Sequence, residues 1–210
     1  MVKAVIFDFD GLLFNTEPVW GKTHDEFLKQ HDFSDVDVGD TTGIGLRDFI
    51  LLLKGEGLAG KTDELLEEYR KIFYEKMRDQ QDILMPGSLE ILEKARKNGL
   101  TIALNSGGHT ELKLREMLGN ENILDYFAVI VSSDDVSRGK PAPGVYLETL
   151  KKLGLEAEVC LAFEDSINGV KSAVGAGVSV WGINADSDWR SDLIKAGAEK
   201  VYSSLGEVEL

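Results

Sequence analysis

Asp8 and Asp10 stand two residues apart at the end of an apolar run, residues 2–9, with Gly11 directly after them. Side chains alternate along a strand, so both carboxylates fall on one side of it. Gly11 permits a tight turn at that point. Two like charges so close are costly unless a cation or a shared proton relieves them. A hard, oxygen-liganded cation such as Mg²⁺ meets that need. Taken alone, the pair reads equally well as two surface acids at a strand end.

Three more loops carry complementary groups. Asn105-Ser106-Gly107-Gly108 precedes a helix starting near Thr110 and offers a hydroxyl and backbone N–H groups to an anion. In Gly139-Lys140-Pro141-Ala142-Pro143, two prolines stiffen the loop and pin the lysine ammonium. Phe163-Glu164-Asp165-Ser166 ends another apolar run with two acids. Asp165 or Ser166 would serve as a helix N-cap there. With the first acidic pair nearby, metal ligation explains the two acids better. Each loop alone is an ordinary connection. Together they hold a nucleophile, an acid/base, anion donors, a cation and metal carboxylates, the parts of a phosphoryl-transfer site. Hydrolysis of a phosphate monoester asks for up to ~10²¹-fold acceleration, roughly 28 kcal/mol. One lysine or serine cannot supply that. A covalent aspartyl phosphate, a metal and preorganised donors acting together can.

The elements that must position these groups follow an alternating pattern. Apolar, β-branched runs at residues 2–9, 101–104, 127–131, 159–163 and 178–181, with a weaker one at 200–202, read as buried strands. Helical patterns fall between them at residues 88–97, 110–118, 143–152 and 166–174. Strands alternating with ten-residue helices predict βαβ units and a parallel α/β sheet. Residues 16–83 break the rhythm. They hold no buried-strand run and three helical patterns, at 17–29, 44–53 and 62–78. The last is amphipathic, with Leu65, Leu66, Tyr69, Ile72, Phe73 and Met77 at helical spacing. The expected organisation is a core of residues 1–15 and 84–210 with a helical insert at 16–83. An insert there would overhang the carboxyl ends of the strands, where open parallel sheets bind ligands.

Composition excludes other classes. The chain has 210 residues, 23 Lys+Arg against 37 Asp+Glu, and a formal charge of −14. Its 43% hydrophobic content is near the globular average of ~45–50%, so a disordered chain is ruled out. The acidic balance argues against nucleic acid, which needs Lys/Arg patches to displace counterions, and against an anionic membrane. The lone Cys160 forms no internal disulfide, which fits a reducing compartment. Asp8 and Asp10 interrupt the first apolar run, so it does not read as a signal peptide. No stretch reaches the ~18 apolar residues of a spanning helix. The expected setting is the cytoplasm, and the expected state a monomer. His24, His31 and His109 lack metal-ligand spacing and are read as structural; Trp20, Trp181 and Trp189 are read as packing.

The four motifs, in order, resemble those of the haloacid dehalogenase superfamily. DFDGLLFNTEP, IALNSGG, GKPAPGVY and AFEDSINGV carry the likeness over nearly the whole chain. GKPAP and EDSINGV most resemble the β-phosphoglucomutase-like subfamily, whose helical cap lies between the first two motifs. The resemblance implies a Rossmann-like core with a cap. It implies Asp8 as nucleophile and Asp10 as general acid/base. It implies Ser106, Gly107 and Lys140 as phosphate holders. It implies Mg²⁺ held by Asp8, by the Asp10 main-chain carbonyl and by Asp165, with Glu164 sharing that duty or supporting it. Gly43-Ile44-Gly45-Leu46-Arg47 resembles the cap's substrate loop, so Arg47 is a candidate substrate ligand. Arg70 is another, being placed near the cap lysine of the mutases. Asn15 and Gly108 depart from common family usage, and Gly108 gives its loop no side chain to meet a larger substrate.

The expected activity is Mg²⁺-dependent hydrolysis of a small phosphorylated metabolite, a sugar phosphate foremost. A β-phosphoglucomutase-type phosphomutase is the close rival, although Glu17-Pro18 leans toward the phosphatases. A phospho-aspartate signalling module would be shorter and lack the insert. A dehalogenase or a phosphonatase would lack Asp10. A non-catalytic binding protein would be expected to lose one of Asp8, Asp10 and Asp165.

Overall fold

The computed structural model describes residues 1–37, 41–78, 80–81 and 83–210. Six strands, β1 Ala4–Asp8, β2 Thr101–Ser106, β3 Val129–Ser132, β4 Cys160–Glu164, β5 Ser179–Ile183 and β6 Lys200–Tyr202, form one parallel sheet. The spatial order is β3-β2-β1-β4-β5-β6. Strand order therefore reverses at β1, between β2 and β4, and the ligand crevice of an open α/β sheet lies at such a reversal. All five residues of β1 and β4 are buried, which is why both read as unbroken apolar runs.

Helices cover both faces. On one face Phe7 stacks on Phe163 with centroids 4.9 Å apart, alongside Leu92, Leu104 and Leu118. On the other, Ile6, Ala103 and Ala162 pack against Val145, Tyr146 and Val170. Each fully buried large apolar side chain contributes about 1.5–3 kcal/mol relative to exposure.

The insert holds α1 Glu17–Gln30, α2 Leu46–Gly55 and α3 Thr62–Met77, and no β-strand is described within it. These helices bury an apolar cluster of their own, including Phe27, Phe49, Ile50, Leu65 and Tyr69. The α2 pattern predicts a start at residue 44, but the helix starts at Leu46. Gly45 is extended and Gly43 has a φ of +70°, so the chain cannot be helical there. The remaining helices are α4 Ser88–Lys97, α5 Glu111–Asn120, α6 Gly144–Leu153, α7 Ile167–Gly175 and α8 Ser187–Ala196. The sequence reading gives no α8. It is capped by Asp186, whose side chain accepts from the Asp188 and Trp189 N–H groups, and it ends at left-handed Gly197. Among the described residues, no helix is long and apolar enough to cross a membrane.

Candidate active site

The carboxyl ends of β1, β2 and β4 and the loop after β3 open into a cavity of about 340 Å³. Asp8 is the last residue of β1 and is almost wholly buried. Lys140 Nζ donates to Asp8 Oδ1 at 2.5 Å and to Glu164 Oε1 at 2.6 Å. Tyr146 Oη also donates to Glu164 Oε1, at 2.6 Å. One ammonium thus joins the ends of β1 and β4 inside the protein. Burial disfavours that charge, but Asp8 and Glu164 outweigh it and hold the Lys140 pKa above its ordinary value.

The acids around it are crowded. Burial pushes the Asp8 carboxyl well up, and Glu164 and Asp10 add to the rise against the pull of Lys140. Asp165 is raised by burial and then by Asp8, Glu164 and Glu17. Asp8, Glu164 and Asp165 each offer a carboxylate oxygen, all within 4.8 Å of one another. Glu164 Oε2 is buried without a hydrogen-bond partner. Crowded, desolvated oxygens of this kind fit a hard divalent cation. Glycines make the room. A Cβ on Gly11 would come within 2.1 Å of Asp165 Oδ2, and one on Gly169 within 1.8 Å of Glu164 Oε2.

Asp10 sits differently. Its Oδ1 accepts from Thr16 Oγ1 at 2.8 Å and Trp20 Nε1 at 2.7 Å, and lies 3.0 Å from His109 Nε2. Its Oδ2 accepts from Ser106 Oγ at 3.1 Å. Burial pushes this carboxyl up, but the charge and hydrogen bond of His109, with bonds from Trp20 and Thr16, prevail and lower it to about 2. With three donors gathered on Oδ1, Oδ2 is the oxygen left to carry a proton, and it faces Ser106.

The structure brings Asp8, Asp10, Gly107, Lys140 and Asp165 to the cavity lining, with Ser106 and Glu164 bonded directly to lining residues. It does not bring the two arginines there. Arg47 pairs with Asp63 at 2.9 Å, with both side chains well exposed. Arg70 is buried, pairs with Asp134 at 2.7 Å, and donates from Nε to the Gly108 carbonyl at 3.2 Å. Each arginine is thus paired with a carboxylate outside the cavity lining. Leu46, one position before Arg47, lines the cavity instead.

The sequence reading missed three polar roles. His109 is fully buried against Asp10, with Nδ1 2.9 Å from the Tyr74 hydroxyl. Trp20 stacks on Phe73 at 3.9 Å and turns its N–H to Asp10, and Tyr146 holds Glu164. Gly108 admits that indole, since a Cβ there would lie 2.5 Å from the Trp20 ring. The only signal in the sequence was proximity of His109 to Ser106. The insert is docked over the site. The N–H groups of Gly45 and Leu46 donate to the carbonyls of Lys140 and Gly107, and Asp48 accepts from the Gly139 N–H.

A parallel α/β sheet with acids, a serine and a lysine at these strand ends defines a hydrolase class, and comparison with known proteins gives the same class. Residues 5–183 match the haloacid dehalogenase-like hydrolases, and the chain belongs to that family. It is a phosphoric monoester hydrolase of that type. The chain is 31% identical over 228 residues to the phosphorylated carbohydrates phosphatase of Thermotoga maritima, spanning 99% of this chain and 100% of that one. It is 27% identical over 194 residues to hexitol phosphatase A of Escherichia coli (strain K12), across 89% and 85% of the two chains. A solved HAD hydrolase, family IA, variant 3, from Entamoeba histolytica has the same fold. Its TM-score is 0.80 at 22% identity, covering 100% of this chain and 96% of that one.

Proposed function

We propose that the protein hydrolyses a small phosphorylated metabolite, a sugar phosphate foremost, through a phosphoryl group carried on Asp8. The observation that supports this most is the Asp8–Lys140–Glu164 linkage at the floor of a cavity that Asp10 also lines. An Asp8 oxygen attacks phosphorus, and the bond from phosphorus to the leaving oxygen breaks. Asp10, positioned by four partners, gives the leaving oxygen its proton. An incoming phosphoryl dianion raises the affinity of Asp10 for that proton, as any neighbouring like charge does. Asp10 then takes a proton from water, the water attacks phosphorus, and Asp8 is released with inorganic phosphate. Ser106, the Gly107 N–H and Lys140 hold the phosphoryl oxygens.

Asp8, Asp165 and the Asp10 main-chain carbonyl would hold Mg²⁺, with Glu164 beside them. The bound ion would neutralise charge between the nucleophile and the phosphoryl oxygens. Residues 16–83 act as the cap domain over a core of residues 1–15 and 84–210.

Turnover of p-nitrophenyl phosphate with Mg²⁺ tests the reading. Asp8→Asn should lose at least about 10³-fold in kcat, roughly 4 kcal/mol, with an unchanged circular dichroism spectrum. A variant near wild-type turnover refutes the nucleophile assignment.

A further inference from the structure

The cap side of the cavity narrows the substrate class, in an inference that rests on the phosphatase reading above. This wall comes from the insert and includes Glu17, His24, Asp25, Leu46, Phe49 and Tyr69. Its two formal charges are both negative. His24 is half-buried, and burial lowers its pKa against the pull of Asp25. Burial, then Asp25 and Glu17, push the Tyr69 hydroxyl up, so it remains a neutral group facing the carboxylates. Leu46 and Phe49 are buried and present apolar surface.

Positive charge is missing from that wall. Among the described residues lining the cavity, Lys140 is the sole Lys or Arg, and its ammonium lies on the core side, bonded to Asp8 and Glu164 where the transferred phosphoryl group is held. Arg47 and Arg70, on the helices of the insert, are drawn to Asp63 and Asp134. The residues outside the description, Val38, Gly39, Asp40, Asp79 and Asp82, bring no Lys or Arg by their identities. A second phosphate or a carboxylate on the leaving group would therefore meet two like charges and no counter-cation. Selectivity built on like-charge juxtaposition is a recognised way to exclude the wrong ligand. Hydroxyl groups suit the same wall, since carboxylates accept from them and apolar side chains cover the C–H faces between.

We infer that the protein takes phosphomonoesters whose leaving group is uncharged and hydroxyl-bearing, a polyol or sugar monophosphate, and rejects substrates with a second anionic group. The same wall opposes a mutase cycle, which must hold a sugar bisphosphate in both orientations.

The test is phosphate release by purified wild-type enzyme with Mg²⁺ on matched pairs. Fructose 6-phosphate is set against fructose 1,6-bisphosphate, and glycerol 3-phosphate against 3-phosphoglycerate, with p-nitrophenyl phosphate as reference. The expected kcat/KM favours the single anion in each pair by at least about 10-fold, equivalent to about 1.4 kcal/mol. Added salt should narrow the gap by screening. Glu17→Gln with Asp25→Asn should narrow it further through KM for the doubly charged substrates. Equal or better turnover of the doubly charged partners, with p-nitrophenyl phosphate hydrolysed, overturns this inference and leaves the phosphatase reading standing. Conversion of β-glucose 1-phosphate to glucose 6-phosphate also overturns it. No turnover of p-nitrophenyl phosphate refutes the phosphatase reading, and this inference falls with it.

Discussion

His109 Nε2 lies 3.0 Å from Asp10 Oδ1, and the imidazole is fully buried among Phe9, Trp20, Phe73 and Tyr74. Its other ring nitrogen meets the Tyr74 hydroxyl at 2.9 Å, and its carbonyl accepts from Ser132 Oγ at 2.5 Å. Tyr74 belongs to α3, so one imidazole couples the insert to the proposed acid/base. Its role is to aim the carboxylate and keep it ionised before water attacks. His109→Phe keeps the ring packing and removes the polar contact. It should lower kcat by about 10–100-fold, within the range general acid–base groups contribute, and barely change KM. With His109 gone the Asp10 carboxyl rises from about 2, so the acid limb of the kcat profile should move to higher pH. His109→Gln, which retains an N–H donor, should recover part of kcat. A change in KM alone would rule out the positioning role.

The legible part of the site is the part carried on strand ends. β1 and β4 are buried on both faces, so their apolar runs are unbroken and their terminal acids stand out. What was illegible depended on partners distant in sequence. Asp10 and His109 are 99 positions apart, and Glu164 and Tyr146 belong to different motifs. Histidine, tryptophan and tyrosine also pack as apolar bodies, so their polar atoms give no periodic signal. Helix α8 was missed for a related reason. Leu193 is its one fully buried residue, so it has almost no apolar stripe to read. The arginines illustrate the opposite case, a charge that is conspicuous in the sequence while its partner is not. Arg47 pairs with Asp63 and Arg70 with Asp134, 16 and 64 positions away.

Metal and protons should compete for the same carboxylates. Asp8 and Asp165 have raised pKa values in the folded state. Between the unfolded value near 4 and the folded one, the native state holds more protons, so stability falls as pH rises through that window. His24, whose pKa burial lowers, works the other way in the window just below its ordinary value. Mg²⁺ at about 100 times its Kd should stabilise by about 2.7 kcal/mol. That is a rise in Tm of about 5–11 °C for a chain of this size. The rise should be larger at pH 8 than at pH 5 and vanish in Asp165→Asn. Thermal melts with Mg²⁺ or with a chelator decide it, and an equal rise at both pH values would contradict the shared-carboxylate picture.

Gly169 lies in the first turn of α7, and its missing Cβ is where Glu164 Oε2 fits, at 1.8 Å. Gly169→Ala must displace Glu164 from Lys140 and Tyr146. Overpacking of this kind costs about 1–3 kcal/mol. Turnover should fall with stability, because Lys140 loses one of its two anchors. Gly119→Ala is the matched control, since nothing lies within 4 Å of a Cβ there and the residue does not line the cavity. On α5 it should be neutral or stabilising by up to about 1 kcal/mol. If both variants melt and turn over alike, the cradle at Gly169 has no energetic weight.

Arg70 and Arg47 share a charge and a place in the insert but differ in burial, and that difference separates a fastening role from a ligand role. The Arg70 side chain is 7% exposed and ties α3 to Asp134 and to the Gly108 carbonyl. Removing one partner of a buried pair costs about 3–5 kcal/mol, and Asp134, at 26% exposed, regains some water, so Arg70→Ala should cost about 2–4 kcal/mol. A double-mutant cycle with Asp134→Ala should return a coupling of about 1 kcal/mol or more. Arg47 and Asp63 are 42% and 83% exposed, and a surface pair of this sort is worth about 0–1 kcal/mol. Arg47→Ala should therefore leave Tm nearly unchanged. Neither substitution should raise KM for a sugar monophosphate selectively, because neither side chain lines the cavity. A selective rise in KM of about 10-fold in either variant, with Tm intact, would restore that arginine as a substrate ligand.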